Sequence, residues 1–219
     1  MSSRPKTVSR TRYHHGDLRN ALSGAALELA RAGGPEAVVL REAARRVGVS
    51  ATAAYRHFNS QADLLDEVKN RALNELARAI EEDLGKCEQG AGPGELAVAR
   101  MRSAAHAYLE FAFSEPGLYN AAFCRDRKPE PADGLKDEPD LEFAQASAFV
   151  LLGQLLDELV AAGRMTPERR PMAEIAAWSG VHGLALLFLE GPLRQVVGEE
   201  RAAAIDYSID TMIRGLVAE

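Results

Sequence analysis

Cysteine is nearly absent, with two residues in 219, Cys87 and Cys124. Neither has neighbours at metal-ligand spacing, and so small a thiol count suits a reducing, cytoplasmic setting rather than a disulfide scaffold. No apolar run approaches the ~18 residues of a membrane span. The longest, "AFVLLGQLL" and "GLALLFLEG", end in charge or glycine. The first fifteen residues carry no apolar core of a secretory signal. No segment alternates apolar and polar residues with period two, so strands are not expected, and no internal repeat is visible. A glycine-rich phosphate loop and a nucleophile elbow are both missing. The five histidines are scattered. Paired acids such as Glu81 with Glu82, or Glu199 with Glu200, read as solvated helix faces. These absences argue against an enzyme, a bound cofactor, a metal site and a membrane protein.

Charge is present but unevenly placed. The whole chain carries 26 Lys and Arg against 32 Asp and Glu. Residues 1–60 hold ten of those cations and only four of the acids, and the rest of the chain is acidic. A basic N-terminal quarter on an acidic body fits contact with nucleic acid, although an ordinary solvated charge pattern produces the same numbers. Hydrophobic residues make up 47% of the chain, enough for a core.

The apolar spacing predicts an all-α protein of about nine helices. Residues 1–15 read as a flexible basic arm. A helix capped by Asp17 follows, stopped by "GGP" at Gly33 to Pro35. Short helices are predicted over Leu40 to Val47 and Ala51 to Phe58, with Gly48 between them. A long helix is predicted over Gln61 to Leu84, and others over Glu95–Phe113, Asp140–Ala162, Pro171–Leu189 and Glu199–Val217. A short Pro-broken helix lies in "SEPGLYNAAFC", and "RDRKPEPADGLKDEP" reads as a polar loop. The domain division is an arm at 1–15, a head at 16–60 and a body at 61–219.

"VVLREAARRVGVSATAAYRHF" has the spacing of a helix-turn-helix. Ala44 is small enough for two helices to cross, Gly48 makes the turn, and Val47 and Val49 fill the angle. Ser50 can cap the second helix, leaving its free amides toward phosphate. Ala51, Thr52 and Ala53 are small, so that helix can approach base edges, and the Thr52 methyl suits a thymine methyl. Tyr55, Arg56 and His57 lie a turn further on, where the groove wall is phosphate. Arg41 can reach a guanine or a phosphate, and Phe58 reads as core. Two ordinary helices of a bundle would show the same periodicity.

The stretch from "YHHGDLRNALSGAALELARAGG" to "YRHFNSQADLLDEV" resembles the DNA-binding domain of the tetracycline-repressor (TetR) family of bacterial regulators. Its "G-V-S-x-x-x-x-Y-x-H-F" followed by "D-L-L" is similar to that family's recognition helix and the start of its fourth helix. The resemblance implies a three-helix head joined through the fourth helix to an all-α, ligand-binding and dimerising body. It also implies base contacts from Arg41, Thr52 and Arg56 and phosphate contacts from Tyr55 and His57. Two positions depart from the family pattern. Val39 stands where a capping threonine or serine is usual, and Gln61 stands where a lysine often grips phosphate. Both shift the expected affinity toward the arm cations Arg4, Lys6, Arg10 and Arg12.

"AAWSGVHGLALLFLEG" is similar to the Trp-His-Gly (WHG) type of C-terminal domain found in a subset of that family. Trp178 and His182 share a helix face. With Met101, His106, Tyr108, Phe111, Tyr119, Phe123 and Phe149 they are the candidates to line an effector pocket; the same residues would serve equally as core. The last two helices are apolar nearly all round and are the candidates for a homodimer contact. The expected protein is a DNA-binding transcriptional regulator, in the family's usual manner a repressor released from a double-stranded operator by a small apolar effector. The alternatives are a DNA-binding protein without an effector and, further off, an all-α enzyme or carrier.

Overall fold

The computed structural model describes residues 15–87, 92–123 and 147–217, and these form nine α-helices with no strand. The helices are α1 (His15–Gly33), α2 (Leu40–Val47), α3 (Ala51–Ala54), α4 (Gln61–Leu84), α5 (Pro93–Ser114), α6 (Pro116–Phe123), α7 (Ser147–Ala161), α8 (Ala173–Leu189) and α9 (Gly198–Leu216). Short 3-10 turns, Pro35–Ala37 and Pro167–Arg169, precede α2 and α8. Residues 1–14 of the predicted arm, Cys124, the predicted loop after it and residues 140–146 lie outside the described residues; the arm's last residue, His15, belongs to α1.

Most predicted helices form within a few residues of their expected ends. Two differ in a way that matters. The first helix begins at His15, so Asp17 lies inside its first turn instead of capping it. The helix predicted to run to Phe58 is regular only to Ala54. The amides of Arg56 and His57 then reach back three residues, to Ala53 at 3.3 Å and Ala54 at 2.9 Å. That tightened turn drives Phe58 into the core, where it is 1% exposed.

The head is built from α1, α2 and α3, which bury Leu22, Ala26, Val38, Leu40, Ala44, Ala54 and Phe58 together. The α2–α3 corner is a Schellman closure. Gly48 adopts φ 78°, and the Val49 amide donates to the Ala44 carbonyl at 3.0 Å. A side chain at that φ would be strained, so the glycine is required by the turn.

Helix α4 joins head to body. Its 24 residues span about 36 Å at the standard rise. Leu64, Leu65 and Val68 belong to the head end, and Leu73, Leu76, Ile80 and Leu84 to the body end. Ser60 Oγ accepts from the Asp63 amide at 3.1 Å, and Asp63 returns the contact by accepting from the Asn59 amide at 3.0 Å. This reciprocal cap sets where α4 starts. In the body, α5 is the central helix, packed by α4, α6, α7, α8 and α9. Ion pairs brace its sides: Arg100 with Glu158 of α7 at 2.7 Å, and Arg102 with Asp210 of α9.

Head and body also meet directly. Gly117 of α6 lies so close to the end of α1 that an added Cβ would fall 2.4 Å from the Ala30 carbonyl oxygen. Arg31 of α1 ties the same joint, reaching Glu75 of α4 at 2.9 Å and Glu115 at the α5–α6 junction at 2.5 Å.

Candidate nucleic-acid interface and effector cavity

Helix α3 is only four residues long, and its start is organised by one side chain. Ser50 Oγ accepts from the Ala53 amide at 3.2 Å. Beyond it Thr52, Tyr55 and Arg56 are exposed, Tyr55 at 45%, while Ala51, Ala53 and His57 are half-buried. Arg41 at the start of α2 and Gln61 at the start of α4 are exposed as well. Ser50, Ala51, Thr52, Ala53, Tyr55, Arg56 and His57 thus form one segment, with Arg41 and Gln61 on the neighbouring helices. Arg10 and Arg12 lie outside the described residues.

The cations of the head divide sharply. Glu42 accepts from Arg45 at 2.8 Å and from Arg46 at 3.3 Å. The Arg45 hydrogen bond holds the Glu42 carboxyl down at about 2 against the opposing effect of burial, with help from Arg46. Arg19 donates to the His57 carbonyl at 2.6 Å, lies 4.4 Å above the Phe58 ring centre and approaches Glu67 at 3.5 Å. Arg31 is committed to three glutamates, Glu28, Glu75 and Glu115. Among the described residues of the head, Arg41 and Arg56 are the cations without an ion pair. Free, exposed guanidinium groups are what phosphate and guanine contacts require.

Val39 precedes α2 in an extended conformation and makes no side-chain cap, so that helix starts without one. That absence is as expected from the sequence; Arg19 was missed. Its part in closing α3 depends on a backbone carbonyl 38 residues away, and no local pattern signals it. The Ser60–Asp63 cap was readable in principle, because Ser-x-x-Asp before an apolar run is a start signal.

The body contains a small, almost wholly apolar cavity of about 60 Å³. Leu73, Leu76 and Ile80 of α4 form one wall, and α5 to α9 supply the rest. Met101, Tyr108, Phe123, Phe149 and Trp178 line it. The other four predicted pocket residues lie elsewhere. Phe111 is buried in the core, and His106 faces α9, with Nε2 3.3 Å from Asp206. Tyr119 and His182 face an outer groove on the far side of the aromatic layer.

That layer is held by hydrogen bonds. Trp178 bonds to the Tyr108 hydroxyl, and an indole N–H can only donate. The Tyr108 and Tyr119 hydroxyls lie 2.9 and 2.7 Å from His182 Nδ1. With Nδ1 accepting, the neutral ring keeps its proton on Nε2. Burial lowers the His182 pKa below the ordinary imidazole range. Burial also pushes the Tyr119 phenol up to about 12; its bond with Tyr108 opposes this and the charge of Glu190 adds to it. Tyr108 is raised further, by burial first and by Tyr119 second. Among the described residues no cluster of His, Cys, Asp and Glu could hold a metal ion, and no helix is long and apolar enough to cross a membrane.

Comparison with known proteins agrees with this geometry. Residues 23–68 match the family model described as bacterial regulatory proteins of the tetR family. Residues 101–212 match the model for the tetracyclin repressor-like C-terminal domain. No curated protein matches significantly. Among solved structures, a protein of unknown function from Rhodococcus sp. RHA1 is 27% identical, covering 95% of this chain and 100% of its own, with a TM-score of 0.72. A putative tetR family transcription regulator from Shewanella sp. PV-4 is 18% identical, with coverages of 92% and 99% and a TM-score of 0.62. A TetR variant from Acinetobacter baumannii AYE, solved in complex with minocycline, is 22% identical, with coverages of 90% and 91% and a TM-score of 0.58.

Proposed function

The chain belongs to the tetracycline-repressor (TetR) family, and from that premise we propose that it is a ligand-responsive repressor which binds its operator as a homodimer. The observation that carries this reading is the exposed Arg41, Thr52, Tyr55 and Arg56 surface, with both arginines unpaired while the other head arginines are neutralised. In the complex Arg41, Thr52 and Arg56 contact bases, and Tyr55 and His57 fix the register on phosphate.

The outer face of α8 and α9 supports the dimer. Ile175, Leu187 and Tyr207 are exposed there at 49%, 42% and 71%. Ser179, Gly180 and Gly183 edge a groove of about 310 Å³ between the two helices. Small residues beside large exposed apolar ones suit close approach of a second copy.

The inner cavity supports the switch. At about 60 Å³ it falls well short of the roughly 300 Å³ that a drug-sized ligand occupies. An effector can enter only by spreading the walls, and one wall is α4. Binding energy that favours the spread state therefore moves the helix that carries the head. A coupling of about 1–3 kcal/mol gives a usable switch.

A mobility-shift assay on the DNA upstream of the protein's own gene tests the proposal. The parent protein shifts it and Tyr55→Ala with Arg56→Ala does not, while helical content is unchanged. Binding by the double variant as tight as the parent's would remove the assignment. A thermal-shift screen with small apolar compounds separates an effector-responsive protein from a constitutive DNA binder.

A further inference from the structure

The outer groove has a volume of about 650 Å³, within the range of small-molecule sites. Its rim belongs to two parts of the molecule. Gly33, Gly34 and Glu36 come from the head, and Tyr119, Asn120, His182 and Glu190 from α6 and the end of α8. The floor is aromatic: the Phe123 and His182 rings lie 4.8 Å apart, with the fully buried Tyr119 ring 5.0 Å behind Phe123. The same Phe123 lines the inner cavity, so one aromatic layer separates the two spaces.

Among the described residues that line it, the groove is also negative. Arg31 is, among the described residues, the cation on its rim, and its guanidinium is already engaged by Glu28, Glu75 and Glu115. Glu190 makes no ion pair among the described residues, and its charge reaches the Tyr119 hydroxyl. An apolar, aromatic floor beside an uncompensated carboxylate selects for a positively charged group attached to an apolar body.

We propose that this groove is a second small-molecule site, distinct from the inner cavity, which takes an amphipathic cation: an apolar body laid on Phe123, His182 and Leu186, and an ammonium group facing Glu190. A molecule held there touches head and body at once and biases the angle between them. The site goes beyond the effector cavity, and its occupation requires neither DNA nor a ligand in that cavity.

The test is calorimetric titration of the full-length protein, without DNA, using phenylbutylammonium, phenylbutanol and phenylbutyrate, which share one body and differ in charge. The cation is expected to bind about fivefold more tightly than the alcohol, the gain of a partly exposed ion pair, and the anion most weakly. Glu190→Gln brings the cation down to the alcohol. Glu190→Lys, an exposed change at a helix end, reverses the order so that phenylbutyrate binds best. Leu152→Phe, which fills the inner cavity, leaves cation binding unchanged; should it fail to fold, the two Glu190 variants decide alone. The proposal is overturned if the parent shows no preference for the cation, if Glu190→Lys keeps the parent's order, or if a folded Leu152→Phe loses the cation. Failure of operator binding leaves each of these results intact.

Discussion

Side-chain partnerships decide which head arginines are available to DNA. Arg41 and Arg45 are four apart on α2 and both exposed, yet Arg45 is bound to Glu42 and Arg41 is not. Operator affinity should fall by about 1–3 kcal/mol for Arg41→Gln, with relaxed specificity at the base it reads, and by much less for Arg45→Gln. Equal losses would contradict the division of charge. His182 makes a pH prediction. Its folded pKa is lowered by burial, so between that value and 6.5 the unfolded chain binds a proton that the folded chain refuses. The contribution is complete above pH 6.5 and is lost as the pH falls below it. Thermal midpoints measured from pH 7.5 to 5 should decline in the parent and decline less in His182→Gln.

At the scale of elements, the start of α4 and the head–body joint carry the structure. Removing the Ser60 hydroxyl with Ser60→Ala should cost about 1 kcal/mol in a denaturant titration, because Ser60 caps the helix that joins the two halves. Gly117→Ala tests the joint. Its Cβ would meet the Ala30 carbonyl at 2.4 Å, so α1 and α6 must part. A loss of about 1–3 kcal/mol is expected, with a change in operator affinity beyond the loss of stability. An unchanged melting curve would mean that the two helices part freely. Periodicity made most of these elements legible: α2 and α4 fall where apolar spacing, Gly48 and Leu84 put them. What it did not reveal was set by distant partners. The α3 turn is tightened between a buried Phe58 and an Arg19 contact to His57, and the aromatic pocket candidates other than Phe111 divide between two spaces because α6 inserts Phe123 between them. Spacing alone places Trp178 and His182 on one face; it cannot say that Trp178 turns inward to the cavity while His182 turns to the groove.

For the whole molecule, the account requires two copies. Leu187→Glu on the exposed α8 face should yield a monomer by light scattering and weaken operator binding by more than tenfold, since a single head keeps only one half-site. The most direct measurement is a hydroxyl-radical footprint on DNA that the parent protein shifts. Two protected patches are predicted, related by a two-fold axis and separated by whole turns of about 10.5 base pairs, with both lost in Tyr55→Ala with Arg56→Ala. A single patch, or two that persist in the double variant, would contradict a paired α2–α3 surface as the DNA reader.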